Sequence, residues 1–248
     1  MAEQTDIPRK RGRPRKPRPA DTEAGERLAR AGLHERAARQ LRHMIVTGKL
    51  PPGAPIVEIE LCEQLGISRT PLREAVKMLA AQGLVELRPN RSTRIAPMDA
   101  VHITELFEAL SNVERIAAEY AARRLTASEI AALRDMQATM ERHYEAGDLS
   151  AYFEVNQAIH SAILAGAHNA TLVEMHRWLF ARAERARYFA LGAHSRWVES
   201  IQEHRDILAA LEAREPDTAG RLLAAHVMHT GTGVLALLAA GERAGAAA

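Results

Sequence analysis

Residues 66–76 constrain the fold of this chain more than any other stretch, because a glycine turn there leads directly into a helix with a polar tip. Thr70 can cap that helix, and Pro71 suits a first helical position, where no backbone N–H is needed. Leu72, Val76 and Leu79 recur at helical spacing, so the opposite face can rest on a core. Two hydroxyls and two guanidinium groups lie at the tip, where phosphates and base edges can be bound: Ser68, Arg69, Thr70 and Arg73.

The neighbouring segments complete a small domain over residues 26–97. The apolar spacing over Leu33 to Thr47 predicts a supporting helix, and Glu58 to Leu65 a short amphipathic one that Gly66 ends. Two short strands, 84–87 and 93–96, enclose a basic tip that includes Arg91. Three helices and a small β-hairpin in this order predict a winged helix-turn-helix, whose second helix enters the major groove of DNA.

Charge is divided unequally along the chain. Residues 1–98 carry a net charge of +8 and residues 99–248 a net charge of −6, which together give the +2 of the whole chain. The basic residues coincide with motif positions and are not scattered, so the first part suits a polyanion such as double-stranded DNA.

The first 25 residues are predicted to be a disordered basic tail, since they offer almost nothing apolar to bury. Within it, Arg11-Gly12-Arg13-Pro14 looks like an AT-hook, an extended motif whose arginines, here Arg11 and Arg13, enter the narrow minor groove of A·T-rich DNA. The alternative is a generic basic tail that contributes only salt-dependent phosphate contacts.

Residues 98–240 predict an all-helical bundle of about six helices, because alanine and leucine dominate and apolar residues recur at helical spacing. Thr126 and Glu129 have the spacing of a capping box at the start of the second of these helices. Residues 241–248 are expected to be a disordered tail. The fold class is therefore mainly α. A single cysteine, Cys62, and apolar runs too short for a membrane span favour a cytoplasmic protein without a membrane partner.

At the level of motifs, the first domain resembles the winged helix of GntR-type bacterial transcription regulators. The resemblance rests on Leu50-Pro51-Pro52-Gly53, on the run from Ser68 to Ala75, and on Gly83-Leu84-Val85. It covers residues 30–97 and implies a DNA-binding role. At the wing tip, Asn90-Arg91-Ser92 stands where the family usually has Asn-Arg-Gly.

The second domain is similar to the ligand-binding domain of the FadR branch of that family. In many members an aspartate and three histidines bind Zn, Ni or Mn inside the bundle. Carried over, the ligands would be His160, His204 and His226, with Asn156 in the place of the aspartate and His229 as an alternative to His226. Neutral imidazoles suit such metals. An uncharged amide in place of a carboxylate leaves the site more positive, which favours a carboxylate effector. No organic cofactor is expected.

Effector-binding residues are predicted on two helices. Arg182, Arg185 and Arg187 form a run in which one guanidinium could clamp a carboxylate in bidentate fashion. Many relatives carry an arginine where Leu110 stands here, so Glu108 and Asn112 are expected to face the cavity instead.

Three functions are consistent with these features. The first is an effector-responsive regulator, a repressor by resemblance, whose homodimer binds a palindromic operator and so associates with the nucleoid. The second is an architectural DNA-binding protein that acts through the AT-hook. The third is a three-histidine metalloenzyme, for which the sequence offers Glu154 and Glu203 merely as adjacent candidate bases. We expect the chain not to be an enzyme.

Overall fold

A computed structural model describes residues 19–88, 92–191 and 194–246. The first domain consists of α1 (Pro19–Val46), α2 (Glu58–Leu65) and α3 (Arg69–Ala81), followed by β1 (Val85–Glu86) and β2 (Arg94–Ile95). The two strands pair antiparallel, with Val85 opposite Ile95. The helices and strands enclose a small apolar core that contains Leu41, Ile45, Leu61, Leu72, Leu79, Leu84 and Ile95. The winged helix-turn-helix prediction is confirmed.

Two details of this domain differ from expectation. Helix α1 begins at Pro19 and not at Leu33, so it includes residues 19–25 of the segment predicted as a tail. Ser68, and not Thr70, is the N-cap of α3, because Ser68 has the extended backbone of a capping residue and Arg69 is already helical. Gly66 ends α2 as predicted, since its positive φ of 63° is a conformation that glycine adopts without strain.

The second domain contains six helices, as predicted. They are α4 (Ala100–Arg124), α5 (Ala127–Glu145), α6 (Leu149–Gly166), α7 (Ala170–Ala190), α8 (His194–Glu212) and α9 (Pro216–Ala246). Helix α4 is central and contacts α6, α7, α8 and α9. Helix α9 extends to Ala246, so it includes residues that the sequence predicted to be a frayed tail.

Glycines bring α9 unusually close to α4. A Cβ atom on Gly220 would lie 3.1 Å from the carbonyl oxygen of Arg115, and one on Gly231 would lie 2.8 Å from Cγ of Phe107. Both distances are shorter than ordinary van der Waals contact. Larger residues at Gly220 and Gly231 would therefore push the two helices apart.

Residues Pro216–Gly241 of α9 meet a length and hydropathy criterion for a membrane span. This corrects the expectation that no apolar run in the chain is long enough. The same helix packs against α4, α7 and α8 and carries His226 and Thr230 in its buried face. One face of this apolar helix is therefore packed within the bundle.

Thr126 and Glu129 form the predicted capping box of α5, with the Thr126 hydroxyl accepting from the Glu129 N–H and the Glu129 carboxylate accepting from the Thr126 N–H. We expect Thr126→Ala to lower the free energy of unfolding by roughly 1 kcal/mol, because an N–H at the helix start loses its acceptor. Chemical unfolding followed by circular dichroism measures this loss.

Thr139→Ala is the matched control, since its exposed hydroxyl donates to the Asp135 carbonyl and accepts from Arg142, both within α5, and caps no helix end. Backbone and side-chain hydrogen bonds from Thr126 and the contact with His168 lower the pKa of Glu129 from 4.5 to about 2. The stabilisation that Glu129 provides is thus complete above pH 4.5 and is lost as the pH falls toward 2. Equal loss of stability in Thr126→Ala and Thr139→Ala would contradict the capping role.

Candidate metal centre and DNA-binding surface

The start of α3 presents to solvent the four DNA contacts that were predicted on the recognition helix. Ser68, Arg69, Thr70 and Arg73 are exposed, whereas Leu72 on the opposite face is fully buried. The Ser68 side chain makes no capping hydrogen bond within the helix. Its hydroxyl and the first N–H groups of α3 are therefore available to an anion.

Arg73 is held by one neighbour. Its Nε donates to Glu58 Oε1 at 2.9 Å and to Oε2 at 3.1 Å, and this hydrogen bond raises the pKa of Arg73 above its ordinary value. The contact occupies only Nε, so the two terminal nitrogens, which can contact a guanine in bidentate fashion, remain unoccupied by Glu58. Arg91 of the wing and Arg11 and Arg13 of the tail lie outside the described residues.

Three imidazoles from three helices meet inside the bundle. Each of His160 on α6, His204 on α8 and His226 on α9 offers a ring nitrogen, and these nitrogens all lie within 4.8 Å of one another. At most 3% of any of the three residues is exposed. Nε2 of His160 lies 3.2 Å from Nε2 of His226. The grouping carried over from resemblance is thus present in the fold.

Carboxylates contact two of these rings at Nδ1, the ring nitrogen that points away from the shared space. Glu114 Oε2 lies 2.5 Å from His160 Nδ1, and Glu203 Oε2 lies 2.7 Å from His226 Nδ1. A carboxylate accepts the Nδ1–H, which leaves the lone pairs of both Nε2 atoms directed into the shared space. Burial lowers the pKa of His160 to about 3 and lowers that of His226, so the neutral ring is favoured. In this tautomer the two Nε2 lone pairs face each other across 3.2 Å.

Two further polar atoms in the same region lack a hydrogen-bond partner. Asn156 Oδ1 and His204 Nε2 are buried and have no hydrogen-bond partner in the described part of the chain. Asn156 precedes His160 by one helical turn and therefore shares its face of α6. Buried acceptors normally find a partner, and a divalent cation can serve several of them at once. The donor set fits a metal.

His226 and His229 were alternative ligands, and the structure distinguishes them. The side chain of His229 is 63% exposed, and its Nδ1 contacts Glu203 Oε1 at 2.7 Å. Only His226 belongs to the buried group. His229 lies outside it, on the far side of the Glu203 carboxylate.

The three-histidine group is surrounded by charged side chains, of which Glu114 was not predicted from the sequence. Glu114 is fully buried and also contacts His176 Nε2 at 3.0 Å and Arg187 Nη1 at 3.9 Å. Glu203 accepts from Arg196 Nη2 at 2.7 Å. The more positive site that was expected from an amide in place of an aspartate is therefore balanced by two carboxylates, which contact the imidazoles of His160 and His226. Glu114 could have been identified from the sequence as a buried charge, because it lies among the apolar residues that form the buried face of α4.

The predicted effector residues do not face this centre. Glu108 and Asn112 lie on the exposed side of α4, so the prediction that they line the cavity is wrong. Arg182 stacks on Trp178, with its guanidinium carbon 4.7 Å from the Trp178 ring centre. Of the three arginines of the run, only Arg187 points inward, and its Nη1 has no hydrogen-bond partner among the described residues.

Arg185 has a different role, which joins the two domains. Its Nη1 donates to the Ala96 carbonyl at 2.6 Å and its Nη2 to the Pro97 carbonyl at 3.1 Å. Burial lowers the pKa of Arg185 to about 10, which leaves it a cation at neutral pH. Helix α7 is thus attached to the segment that links the wing to the bundle.

A second arginine attaches the domains from the other side. Arg42 of α1 donates to Glu184 and Ala181 of α7 and to Gln82, the residue that ends α3. The recognition helix and α7 therefore share one guanidinium group. Sequence alone gives no sign of such a contact, because its partners are far apart along the chain.

Comparison with known proteins agrees with both domains. The family model described as "Bacterial regulatory proteins, gntR family" matches residues 33–95, and the one described as "FCD domain" matches residues 105–229. The "Probable D-xylose utilization operon transcriptional repressor" of Paenarthrobacter nicotinovorans is 34% identical over 77% of this chain and 85% of its own length. The HTH-type transcriptional regulator McbR of Escherichia coli is 26% identical over 80% of this chain and 90% of its own.

A solved structure, "E. coli McbR/YncC", superimposes with a TM-score of 0.71 at 25% identity and covers 83% of this chain and 98% of its own. These relatives are transcription regulators and not enzymes, in agreement with the expectation for this chain. Glu203 is moreover engaged by Arg196, His226 and His229, which leaves it poorly suited to act as a base. The chain belongs to the GntR family of bacterial transcription regulators and combines a helix-turn-helix DNA-binding domain with an FCD ligand-binding domain.

Proposed function

We propose that this regulator is a repressor whose homodimer binds a palindromic operator in the bacterial cytoplasm and leaves it when a small carboxylate effector binds the FCD domain. The observation that carries the proposal is the buried group of His160, His204 and His226, whose ring nitrogens lie within 4.8 Å of one another and in which His204 Nε2 has no hydrogen-bond partner in the described chain. The Paenarthrobacter relative is described as a transcriptional repressor, which supports repression as the direction of control.

A divalent metal would be held by His160, His204 and His226, with the Asn156 amide oxygen as a fourth ligand. Zn, Ni and Mn all accept such nitrogen and oxygen donors. When bound, the cation would supply a positive charge to which a carboxylate can bind. Arg187 adds a second one, because its buried guanidinium has an Nη1 without a hydrogen-bond partner in the described chain.

Helix α7 offers a physical route from the effector to DNA. One of its faces carries Arg187 toward Glu114 and the metal centre, and the other carries Arg185 toward the interdomain linker. Arg42 joins the same helix to the end of the recognition helix. An effector that binds one position of α7 better than another would shift the orientation of the DNA-binding domain.

An architectural role led by the basic tail is the second candidate, and the Arg11-Gly12-Arg13-Pro14 motif favours it. In that case the exposed tip of α3 would contribute little to sequence preference. The two functions therefore predict different effects of a mutation in the recognition helix on the preference for operator DNA.

Arg73→Ala should weaken binding to the operator roughly 10- to 100-fold, because a bidentate base contact is worth about 1–3 kcal/mol. Non-specific binding should change little. Titration of the fragment upstream of the protein's own gene, with and without competitor DNA, measures both.

Arg142→Ala is the matched control, since it removes one exposed arginine from α5 of the FCD domain. A ratio of specific to non-specific affinity that is the same in Arg73→Ala and the wild-type protein would favour the architectural function.

His204→Ala should lower bound metal to background, whereas His229→Ala should retain it, because only His204 belongs to the buried group. Elemental analysis after dialysis against each metal measures the content, and thermal unfolding checks the fold. Asn156→Asp should bind metal more tightly than the wild-type protein, since a carboxylate replaces an amide. Equal metal content in His204→Ala and His229→Ala would rule out this ligand set.

Deletion of residues 1–18 should make binding less dependent on salt, because each phosphate contact contributes about −0.9 to the slope of log K against log salt concentration. Affinity should fall most on operators with A·T-rich flanks. The same slope in both proteins would mean that the tail does not contact DNA, and equal losses on A·T-rich and G·C-rich flanks would reduce it to a generic basic tail.

A further inference from the structure

A groove of about 750 Å³ lies between α1 of the DNA-binding domain and helices α6 and α7 of the FCD domain. This volume is within the range of pockets that hold small organic molecules. Its apolar lining comes from both domains: Val46, Phe153, Leu164, Val173, Phe180 and Tyr188. None of the proposed metal ligands is among the lining residues, and His176 and Phe180 stand between the groove and His160.

The mouth of this interdomain groove is positively charged. Arg39 on α1 and Arg177 on α7 are exposed there, and neither forms an ion pair with a described carboxylate. Arg42 and Glu184, which also line the groove, pair with each other. Among the described lining residues, Glu154 is then the remaining acidic group, whereas Arg39, Arg177 and His43 are basic. An anion is the favoured occupant.

A buried acceptor adds a second requirement. Gln157 lines the groove from α6, and its Oε1 is buried without a hydrogen-bond partner in the part of the chain that the structure describes. Buried amide oxygens are rarely left in this state, because each loses its hydrogen bonds to water. A ligand with a hydroxyl or N–H group would supply the missing donor.

We propose that the interdomain groove is a second small-molecule site, separate from the metal centre, that binds an organic anion with an apolar body and a hydrogen-bond donor. The apolar lining would accommodate the body, and Arg39 and Arg177 would bind the charged group. The occupant would also contact Arg42, the residue that joins Gln82 of the recognition helix to α7. The site is thus placed where binding can alter the contact between the domains.

Anilinonaphthalene sulfonate, an aromatic anion whose fluorescence rises in apolar surroundings, is a suitable probe for the full-length protein. We expect saturable binding with one site per chain. The double variant Arg39→Glu with Arg177→Glu should bind roughly 10- to 100-fold more weakly, as expected for the loss of charge-assisted contacts. The control Arg142→Glu, which reverses one exposed charge on α5, should bind as the wild-type protein does.

A second variant tests the location without changing charge. Ser161 lines the groove and is exposed, so Ser161→Trp places an indole in the space with little effect on the core. It should also weaken probe binding, and near-ultraviolet circular dichroism should remain that of the folded protein. Loss of the fold in one variant leaves the other as the test.

Binding is then repeated with chelator and with His204→Ala, and it should be unchanged if the groove is separate from the metal centre. Loss of binding in His204→Ala, or equal weakening by Arg142→Glu and by the Arg39 and Arg177 reversals, would overturn the proposal. Unsaturable binding would do the same. No DNA is present in this assay, so its outcome is independent of whether the proposed repressor function is correct.

Discussion

The buried carboxylate of Glu114 organises the FCD domain. A charge removed completely from water must be compensated by partners, and α4 places this one where His160 of α6 and His176 and Arg187 of α7 can reach it. Burial alone would raise the pKa of Glu114, but the two imidazoles hold it well below its ordinary value. Three helices are therefore fixed relative to one another by one side chain. The same contact orients His160 toward His226.

The two domains are joined by polar contacts as well as by apolar packing. Arg42 and Arg185 each place a guanidinium group against partners in the other domain, including backbone carbonyls. Because these hydrogen bonds are directional, they fix the orientation of the domains and also stabilise the contact. Val46 of α1 adds an apolar contact, since it is buried in the core cluster of the bundle. Few contacts of this kind are needed for coupling, because a shift of α7 alters both arginine contacts at once. This arrangement explains how a ligand bound inside the FCD domain could affect the position of the exposed recognition helix.

Local physical chemistry explains what the sequence predicted well. Helix ends follow from Gly66 and from the capping box of Thr126 and Glu129, and helix faces follow from apolar periodicity. The histidines were identified only through resemblance, because ligands on three separate helices have no common spacing. Glu108 and Asn112 were misplaced, since the first helix of the bundle was oriented by analogy with an arginine that this chain lacks. Arg42 and Arg185 could not be predicted, because their partners are brought near only by the tertiary fold.

The close contact between α4 and α9 limits which parts of the FCD domain can move. Gly220 and Gly231 lie on either side of His226 and press against α4 at two points, so sliding one helix along the other would force backbone into side chain. The two helices therefore keep Glu114 of α4 and His226 of α9 at a constant separation. A change in the contacts that His160 and Arg187 make with Glu114 would therefore move α6 or α7 and leave α4 and α9 in place, and α7 is a helix that contacts the DNA-binding domain.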